Sequence, residues 1–511
     1  MADESTTVVN PTQEDVFVRG LSEVVGGPLG EHAARPRRGA KLLTPARVVM
    51  VLAVLVFCLH WVQKSPCQDG SWQNFSQYRN FCYTDVLALY YAEHLSDGAV
   101  PYYDWPVEYP VLTGAFMGVL GLPVHDLAMH SGGLNQGEAF YNLNALVLSA
   151  FGIAAIAVVL ALRRRRPWDA AMFALAPALV VTATVNWDLL AVGLTVFFVY
   201  AWARRRPVLA GVMLGLAVAA KFYPFLFAGP LLVLALRTGR WRAALITVGT
   251  AAATWLAVNA PVFLVPSAQG NWARFFVLSN TRGIDWGTLW YMGTHVEFPW
   301  GTGIGVINDL GNNIDALNYL IYGLLLLCCI GVAWVALTAP RAPRLSQLLF
   351  LVVAIFLLTS KVWSQQFVLW LIPLAVLARP RWGAYLAWQV AEIGYFLAFY
   401  AQMLKVNGRF VIPEGTFLTA AALRWVTVAV MVYFVVRDIR HPQLDVVRRT
   451  YDEDPDGGDF NGLPGPHRYD TLLVRFEEWY NELLGGWRSR PEREDDRLAR
   501  EGALDPQPVD G

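Results

Sequence analysis

The segment "NFCYTDVLALYYAEHLSDGAVPYYDWPVEYPVL", residues 80–112, contains several carboxylates among many aromatic rings. Three of these carboxylates, Asp85, Asp104 and Glu108, are candidate site residues, and the segment follows the first strongly apolar stretch of the chain. A carboxylate is a suitable general base for a hydroxyl group that attacks as a nucleophile. Aromatic faces suit the C–H surfaces of sugars, although tryptophan and tyrosine are also common at membrane interfaces. The segment is therefore a candidate for part of an active site.

Two lysines interrupt apolar runs far from any basic cluster. They are Lys221 in "AAKFYP" and Lys361 in "TSKVWSQQF". Charged groups at membrane depth are costly and are usually functional or paired, and lysine stabilises a phosphate electrostatically. The alternative for each lysine is a side chain that extends to the membrane interface. A carboxylate base near two cations suits the transfer of a sugar from a lipid phosphate.

Further polar side chains occur in the same connections and in a second large loop. The candidates for sugar or acceptor contacts are Asp104, Glu108, Tyr109, Asn186, Asp188, Tyr223, Gln365 and Gln366. Arg282, in "SNTRGIDWGTLWY", is a third candidate for binding the phosphate. Ordinary loop polarity and helix capping are the competing explanations, and capping competes with catalysis for Asp85 as well.

The elements that must position these residues are membrane helices. The chain is 55% hydrophobic and 16% charged, whereas soluble proteins are about a quarter charged. Stretches such as "VVMVLAVLVFCLHWV" are long enough to cross a hydrocarbon core of about 30 Å. Inside lipid every backbone polar group must be satisfied within the segment, so helices are expected. We predict an all-α, polytopic membrane protein with membrane lipids around it and no nucleic-acid partner.

Arginine-rich clusters predict the orientation, because basic loops stay on the cytoplasmic side. The clusters are "RPRRGAK", "RRRR", "RRR", "RTGRWR", "RAPR", "RPRW" and "RDIRH". The segment "PVLTGAFMGVLGLPV" is interpreted as a helix at the outer leaflet, because a full crossing would invert every later cluster. About twelve crossings follow, with both termini cytoplasmic. The outer face then receives Asp85, Asp188, Lys221 and Lys361.

The predicted organisation has three parts. Residues 1–46 form a polar cytoplasmic tail without a cleavable signal peptide. Residues 47–436 form the transmembrane domain, with large outer loops at 64–138 and 266–315. Residues 437–511 form a second cytoplasmic tail, expected to be mostly disordered apart from an amphipathic helix near 469–484. The apolar stripe of that helix suits a membrane surface or a partner, and packing against the domain is an equal alternative.

Cys67 and Cys82 are predicted to form a disulfide, because both fall in the first outer loop, where an oxidising exterior permits one. Such a bridge would fix the chain immediately before Asp85. The remaining cysteines lie within apolar spans and are expected to be packing residues: Cys58, Cys328 and Cys329. No cysteine spacing indicates a zinc site or a haem attachment.

Five segments in order resemble the GT-C glycosyltransferases: "YTDVLALY", "PYYDWPVEYPVL", "NWDLLAVGL", "GLAVAAKFYPFL" and "SKVWSQQFVLWLIPL". More narrowly, residues 47–436 resemble glycosyltransferase family 87, the actinobacterial polyprenyl-phosphate-mannose-dependent α-1,2-mannosyltransferases and related arabinofuranosyltransferases. In that family the aspartate of the first outer loop is the catalytic base, which implies this role for Asp85. Two motifs depart from the family: "F-x-YPP" appears as "VEYPV", with Val111 for the second proline, and "SP-x-SW-x-H" appears as "SKVWSQQ", without its histidine.

The resemblance implies a membrane glycosyltransferase that moves a sugar, with mannose favoured, from a polyprenyl-phosphate donor to a glycan or glycolipid of the cell envelope. It also implies that no cofactor is needed, although Asp85, Asp104 and Glu108 form a ligand set that a divalent cation would accept. The main alternative is a transporter or flippase of a lipid-linked precursor. Transporters, however, tend to place polar groups near the bilayer midplane within repeated halves. A non-catalytic scaffold that recruits partners through its tails is a second alternative.

Overall fold

The computed structural model describes residues 8–26, 43–299, 301–451 and 453–461, and every structural statement below concerns those residues. Within these ranges the fold is helical, and its strands form one short hairpin in which Glu297–Phe298 (β1) pairs antiparallel with Gly301–Thr302 (β2). The helical prediction for the chain is confirmed. The amphipathic helix predicted near 469–484 lies outside the described residues.

The helices are numbered in chain order. Those up to the end of the first large loop are Pro11–Glu14 (α1), Val16–Gly26 (α2), Pro45–Lys64 (α3), Ser76–Arg79 (α4), Asp85–Ala92 (α5) and Val111–His130 (α6). The next group is Gln136–Leu162 (α7), Asp169–Ala174 (α8), Pro177–Thr182 (α9), Asp188–Ala203 (α10), Pro207–Ala220 (α11), Ala228–Thr238 (α12) and Trp241–Phe263 (α13).

The remaining helices begin in the second large loop. They are Gln269–Thr281 (α14), Leu289–His295 (α15), Gly305–Asn312 (α16), Ile314–Thr338 (α17), Leu345–Thr359 (α18), Val368–Ala378 (α19), Trp382–Val406 (α20), Glu414–Arg440 (α21) and Val446–Thr450 (α22). Short 3₁₀ turns lie at Ser65–Cys67, Gln73–Phe75, Leu95–Asp97, Tyr223–Phe227, Pro266–Ala268, Gln365–Phe367, Pro442–Leu444 and Gly458–Phe460.

Six helices of the described chain are long and apolar enough to cross a membrane, by length and composition. They are Pro45–Cys67, Val111–His130, Gln136–Leu162, Trp241–Phe263, Ile314–Thr338 and Glu414–Arg440. Shorter apolar helices occupy Asp169–Thr182, Asp188–Ala203, Pro207–Ala220, Tyr223–Thr238, Leu345–Thr359 and Gln365–Ala378. Apart from α6, these helices and α20 make twelve segments in the described chain, as many as the predicted crossings, and the number of crossings stays a prediction.

Helix α6 is the segment that we predicted to lie at the outer leaflet. It has 20 residues, contains Pro123, and is itself long and apolar enough to cross a membrane. It packs against α7, α11 and α13. Near its start, the Thr113 hydroxyl donates to the Ala220 carbonyl at 2.7 Å. This bond ties α6 to the residue before Lys221, and the placement at the leaflet stays a prediction.

The long helix α7 separates two ends of the bundle. It begins beside α5, where the Tyr90 phenol donates to Gln136 at 3.1 Å, and it ends immediately before Arg163. Its 27 residues, at a rise of 1.5 Å each, place these points about 40 Å apart. We call the end that carries Asp85 the acidic end and the end that carries Arg163 the arginine-rich end.

The helices after α7 run back and forth between these ends. Helix α10 begins with Asp188 and ends near Trp202, whose indole N–H donates to the Gly457 carbonyl at 3.1 Å. Helix α11 returns to Lys221, which pairs with Asp188. Every residue of α19 is buried, as expected for a helix that is apolar on all sides. The alternation therefore brings Asp188 and Lys221 to the end that carries Asp85.

At the arginine-rich end two of the predicted loop arginines, Arg163 and Arg344, are buried in ion pairs. Arg163 donates through both terminal nitrogens to Asp456, one of them at 2.7 Å, and neither side chain is exposed. Arg344 pairs with Asp445 at 2.8 Å. Residues 442–451 and 453–461 are thus folded against the bundle, which differs from the disorder expected for most of the second tail. The prediction of disorder for the tail as a whole stays a prediction.

Candidate active site

Asp85 is the first residue of α5, but it does not cap that helix. The neighbouring Thr84 is the N-cap, since its hydroxyl accepts a bond from the Val86 N–H at 3.2 Å. The Asp85 N–H donates to the Val185 carbonyl at 2.6 Å, and the Thr84 hydroxyl donates to the Thr184 carbonyl at 2.7 Å. These bonds attach the start of α5 to the "VNWD" turn. Capping, the explanation that competed with catalysis for Asp85, therefore belongs to Thr84.

The Asp85 carboxylate lies among tyrosines and charged groups. The Tyr109 phenol donates to its Oδ2 at 3.4 Å, and the Tyr83 phenol also hydrogen-bonds to it. Burial raises the pKa of Asp85 to about 6; the Tyr83 bond opposes this shift, the charge of Glu108 adds to it, and Lys221 opposes it. Asp85 still keeps part of its surface accessible. A carboxylate with a pKa close to neutral is suited to accept a proton from a hydroxyl group.

Lys221 follows the end of α11, and its ammonium group points into the protein. The Nζ atom lies 2.8 Å from Asp188 Oδ1, and the side chain is 14% exposed. It lies 4.7 Å from the ring centroid of Tyr109, 5.4 Å from that of Phe367 and 5.8 Å from that of Trp370. Aromatic faces attract a cation at such distances. The lysine is thus held in an ion pair and an aromatic box, and it does not extend along the surface.

The "VNWD" turn supplies two further predicted residues, which are both almost fully buried. Asn186 and Asp188 are each 1% exposed. The Asp188 N–H donates to Asn186 Oδ1 at 2.9 Å, and the Trp187 indole donates to Asn144 at 2.8 Å. The turn is therefore rigidly held, and the Asp188 carboxylate is directed to Lys221.

Tyr223 forms part of the wall behind Lys221. Its ring stacks on Trp370 at a centroid distance of 4.4 Å. Its phenol lies 3.0 Å from the Thr195 hydroxyl. Tyr223 is thus a packing partner of the aromatic box, and the predicted sugar contact stays a prediction.

The "PVEYP" segment brings Glu108 and Tyr109 to Asp85. The Glu108 N–H donates to Glu93 Oε1 at 3.1 Å, and Glu108 remains partly accessible. Burial raises the pKa of Glu93 to about 8, the bond from the Glu108 N–H lowers it, and the nearby charges of Glu108 and Asp85 raise it further. Asp104, by contrast, is exposed, and its carboxylate accepts a bond from the Val100 N–H at 2.9 Å within its own loop.

Because Asp104 is directed into its own loop, the ligand set that we considered for a divalent cation is not assembled. In the described part of the chain, no group of three His, Cys, Asp or Glu side chains is arranged to hold a metal ion. The independence from cofactors stays a prediction.

The "SKVWSQQ" turn contributes residues to two different places. Gln365 donates to the Tyr400 phenol at 2.9 Å, and Tyr400 interacts electrostatically with Asp85. Gln366 is buried beside it at 7% exposure. Lys361, however, donates to the Asn280 carbonyl at 2.9 Å in the second large loop. The structure thus places Gln365 near Asp85 and engages Lys361 elsewhere.

The second large loop is attached to this turn. The Asp285 N–H donates to the Lys361 carbonyl at 2.8 Å. Arg282 is exposed. Burial raises the pKa of Asp285, the Trp286 N–H lowers it, and the charge of Arg282 lowers it further. The predicted phosphate contacts of Lys361 and Arg282 therefore stay predictions.

Three charged residues near the site were missed by the sequence analysis. Lys64, the last residue of α3, is 1% exposed and donates to the Tyr83 carbonyl at 3.1 Å. Glu93 holds the Glu108 backbone, as described above. Arg424 donates to the Trp363 and Ser364 carbonyls at 2.9 and 3.0 Å and fixes the "SKVWSQQ" turn. The signal that identified Lys221, a charge that interrupts or ends an apolar run, would also have identified Lys64 and Arg424.

The structure contains the predicted disulfide between Cys67 and Cys82, with 5.7 Å between their Cα atoms. The bridge joins the end of α3 to the residues before Thr84. We call the group formed by Asp85, Glu93, Glu108 and Asp188, together with Lys64 and Lys221, the acidic cluster.

Two comparisons with known proteins found matches to this chain. Residues 111–360 match the model of glycosyltransferase family 87, which confirms the family resemblance that the motifs indicated. The matched region contains the "VNWD" turn and Lys221, whereas Asp85 precedes it. The helical fold and this match support a membrane glycosyltransferase.

Among solved structures, the archaeal oligosaccharyltransferase AglB from Archaeoglobus fulgidus, in complex with an inhibitory peptide and a dolichol-phosphate, is similar at 14% identity and a TM-score of 0.33. The alignment covers 90% of this chain, which spans 60% of the length of that protein. No curated protein matches this chain.

Proposed function

We propose that this protein transfers a sugar from a polyprenyl-phosphate donor to a glycan or glycolipid of the cell envelope, and we favour mannose as the transferred sugar. The observation that carries the proposal is the acidic cluster, in which a carboxylate with a pKa of about 6 lies near a lysine held in an aromatic box. A base and a cation are the two groups that this transfer requires. We place the reaction on the extracytoplasmic side of the cell membrane.

An apolar groove beside Lys221 supports a lipid-linked donor. The groove has a volume of about 330 Å³ and is walled by α11, α13 and residues 222–228. Its lining residues are Leu214, Val218, Phe222, Pro224, Phe225, Ala228, Val248, Ala251, Ala252, Trp255 and Leu256. Phe222 directly follows Lys221, so a prenyl chain in the groove would bring its phosphate towards the ammonium group. A soluble nucleotide sugar has no apolar chain that could fill such a groove.

The proposed reaction is a single displacement. The acceptor hydroxyl oxygen bonds to the anomeric carbon of the sugar while its proton passes to Asp85. The bond from that carbon to the phosphate oxygen breaks, and the departing polyprenyl phosphate keeps the electron pair. Lys221 stabilises the negative charge of the leaving phosphate. Asp188 Oδ1 lies 2.8 Å from the Lys221 ammonium group. In the proposed reaction the donor phosphate therefore displaces Asp188 or binds the ammonium group together with it.

The remaining residues of the acidic cluster have supporting roles in this proposal. Glu108 and Tyr109 flank Asp85 and are suited to contact acceptor hydroxyls. Gln365 and Asn186 are candidates for hydroxyls of the transferred sugar. Lys221 supplies the positive charge that a divalent cation would otherwise bring to a phosphate, and the proposal therefore includes no metal.

The test is to incubate membranes that contain the protein with labelled polyprenyl-phosphate mannose and, separately, with the arabinofuranose analogue. Wild-type membranes should consume one donor and label a glycan or glycolipid, whereas Asp85→Asn membranes should not. Asp104→Asn is the matched control, because it makes the same change in the same loop at an exposed carboxylate. Movement of the donor across the bilayer without sugar transfer, unaffected by Asp85→Asn, would replace this proposal with a flippase.

A further inference from the structure

Helix α2 presents its apolar side away from the protein. The exposed fractions are 78% for Val16, 48% for Phe17, 56% for Leu21, 85% for Val24 and 82% for Val25. At 3.6 residues per turn these side chains share one side of the helix. A helix on a water-soluble surface turns such a side towards the core. The reversed arrangement indicates apolar surroundings for α2.

The protein-facing side of α2 is formed by Val18 and Ser22. They lie one turn apart and are its partly buried residues, whereas the rest of the helix is exposed. Asp15 accepts bonds from the Phe17 and Val18 N–H groups at 3.0 and 3.1 Å, and its other oxygen accepts the Trp382 N–H at 3.0 Å. The orientation of α2 is therefore fixed by its cap and by the first residue of α20.

Helix α2 lies at the arginine-rich end of the bundle. Glu14 forms an ion pair with Arg166, and the Val9 N–H donates to the Arg165 carbonyl at 2.8 Å. These arginines follow directly after α7, which is long and apolar enough to cross a membrane. A segment attached at that point lies where the hydrocarbon core meets the headgroups.

We propose that α2 lies in the headgroup layer of the leaflet at the arginine-rich end, with its apolar side in the acyl boundary. Interfacial helices bury an apolar side in this manner. Lipid is favoured over a protein partner because α2 is attached next to the end of α7, a helix long and apolar enough to cross a membrane. The helix thereby holds the N-terminal segment on the membrane.

The test uses the full chain with Cys58, Cys328 and Cys329 replaced by alanine, reconstituted in phosphatidylcholine vesicles. An environment-sensitive fluorophore is attached to Val24→Cys or, as the control at the neighbouring polar position about 100° around the helix, to Glu23→Cys. We expect lipids with a shallow nitroxide to quench the Val24→Cys label at least about threefold more than the control, and iodide to show the reverse order. Equal quenching by iodide at both sites, or protection of the Val24→Cys label from both quenchers by a partner or second copy, would overturn the proposal.

A second, independent observation concerns the loop before Asp85, which α3 holds at three points. Gln63 donates to the Phe81 carbonyl at 2.7 Å, and Lys64 donates to the Tyr83 carbonyl at 3.1 Å. The disulfide makes the third attachment. Of these three, only Lys64 brings a charge, and that charge interacts with Asp85.

We infer that Lys64 is a positioning residue for Asp85: it holds the loop through the Tyr83 carbonyl at 3.1 Å and brings a positive charge to the vicinity of the carboxylate. This inference rests on the proposed function, in which Asp85 is the base. Lys64 acts through the backbone and through its charge, and it is distinct from Lys221, which faces the leaving phosphate. The other titratable or charged groups around Asp85 are Tyr78, Tyr83, Glu93, Glu108, Tyr109, Asp188, Lys221 and Tyr400.

The test compares Lys64→Met with Gln63→Met, since both remove one donor to the same loop but only the first removes a charge. Both variants should transfer sugar more slowly. Only Lys64→Met should move the acidic limb of the pH–rate profile upward, by about half a pH unit or more. Its loss should therefore be larger at pH 6 than at pH 8, and Lys64→Arg should restore the wild-type limb.

Equal losses at every pH for the two methionine variants would overturn this inference. If Lys64→Met does not fold, Lys64→Gln serves for the same measurement. Failure of the proposed function itself would be seen separately, as the absence of sugar transfer by wild-type membranes, and failure of the proposed base as transfer that survives Asp85→Asn.

Discussion

The two ends of the bundle both bury charged side chains, but they differ in how those charges are matched. At the arginine-rich end, Arg163 and Arg344 each meet a carboxylate from segment 442–461. Burial raises the pKa of Asp445, but the charge of Arg344 outweighs burial and brings this pKa below its ordinary value. At the acidic end, burial raises the pKa of Asp85 to about 6. A matched buried charge holds structure together, whereas an incompletely matched one remains available for a proton or a ligand.

The same comparison explains why the acidic end is suited to chemistry. Its four carboxylates, Asp85, Glu93, Glu108 and Asp188, face two lysines, so their mutual repulsion is only partly cancelled. Such arrangements shift pKa values towards neutral pH and are common at functional sites. At the arginine-rich end Arg163 and Arg344 each have a carboxylate partner, and we assign these pairs to stability, although burial also raises the pKa of Asp454 there.

The largest expected effect is that of Asp85→Asn. Removal of a general base typically lowers the rate by about 10²–10⁴-fold, while the melting temperature of the purified protein should hardly change. Sugar transfer from labelled donor is the measurement, with Asp104→Asn expected near the wild-type rate. A folded Asp85→Asn variant with wild-type transfer would refute the assignment of the base.

The opposite result is expected for Arg163→Met at the arginine-rich end. Removing Arg163 leaves the buried Asp456 with the longer contact to Arg344, at 3.7 Å, and breaking a buried ion pair costs about 3–5 kcal/mol of stability. Thermal unfolding in detergent should show a lower melting temperature, with nearly unchanged activity per folded molecule. The double variant Arg163→Met, Asp456→Leu should regain much of the loss, and failure to do so would mean that the pair is not the main contribution.

Lys221→Gln tests the other catalytic group of the acidic end. It removes the charge that faces the leaving phosphate, and we expect transfer to fall by about 10–100-fold, with a higher KM for the lipid donor. Lys361→Gln is the matched comparison, because that lysine donates to the Asn280 carbonyl instead. Equal effects of the two substitutions would show that the second loop moves onto the donor during the reaction.

The rate of sugar transfer should depend on pH, with a smaller effect than the substitutions above, and it should fall towards acidic pH. Asp85 must be ionised to accept a proton, and its pKa is raised to about 6. Activity should therefore be nearly constant above pH 7 and fall as the pH decreases through about 6, reaching roughly half its plateau there. A limb centred near pH 4, the ordinary range of an aspartate, would contradict the described surroundings of Asp85.

The smallest expected effect is that of a chelator. Because Lys221 supplies the positive charge, EDTA should leave the transfer rate unchanged. Loss of activity with EDTA, restored by Mg²⁺ or Mn²⁺, would show that a cation joins the carboxylates.

Much of the fold and part of the site could be predicted from the sequence. Apolar length identified the helices, and the alternation of basic clusters grouped Asp85, Asp188 and Lys221 at one end, because consecutive helices reverse direction. The same reasoning grouped Lys361 and Asp104 with them. Lys361, however, donates a hydrogen bond to the second large loop, and Asp104 accepts one from the backbone of its own loop. The alternating directions of consecutive helices predict at which end of the bundle a residue lies, but they do not predict where its side chain points.

The partners of the buried arginines were beyond sequence reasoning. Asp456 lies far from Arg163 along the chain, in a segment whose composition is typical of disorder, and its charge looks no different from that of its neighbours. Glu93 was missed for a related reason, since it directly follows the end of α5 and resembles an ordinary boundary residue.

By itself the sequence determined that this chain is a helical membrane protein with a carboxylate and a lysine at the same end, because hydrophobic length and charge distribution are local properties. Only the tertiary structure decided which charges meet and which remain incompletely matched. Ion pairing and desolvation depend on distances of a few ångströms between residues that are far apart in the chain, and those distances exist only once the helices have packed.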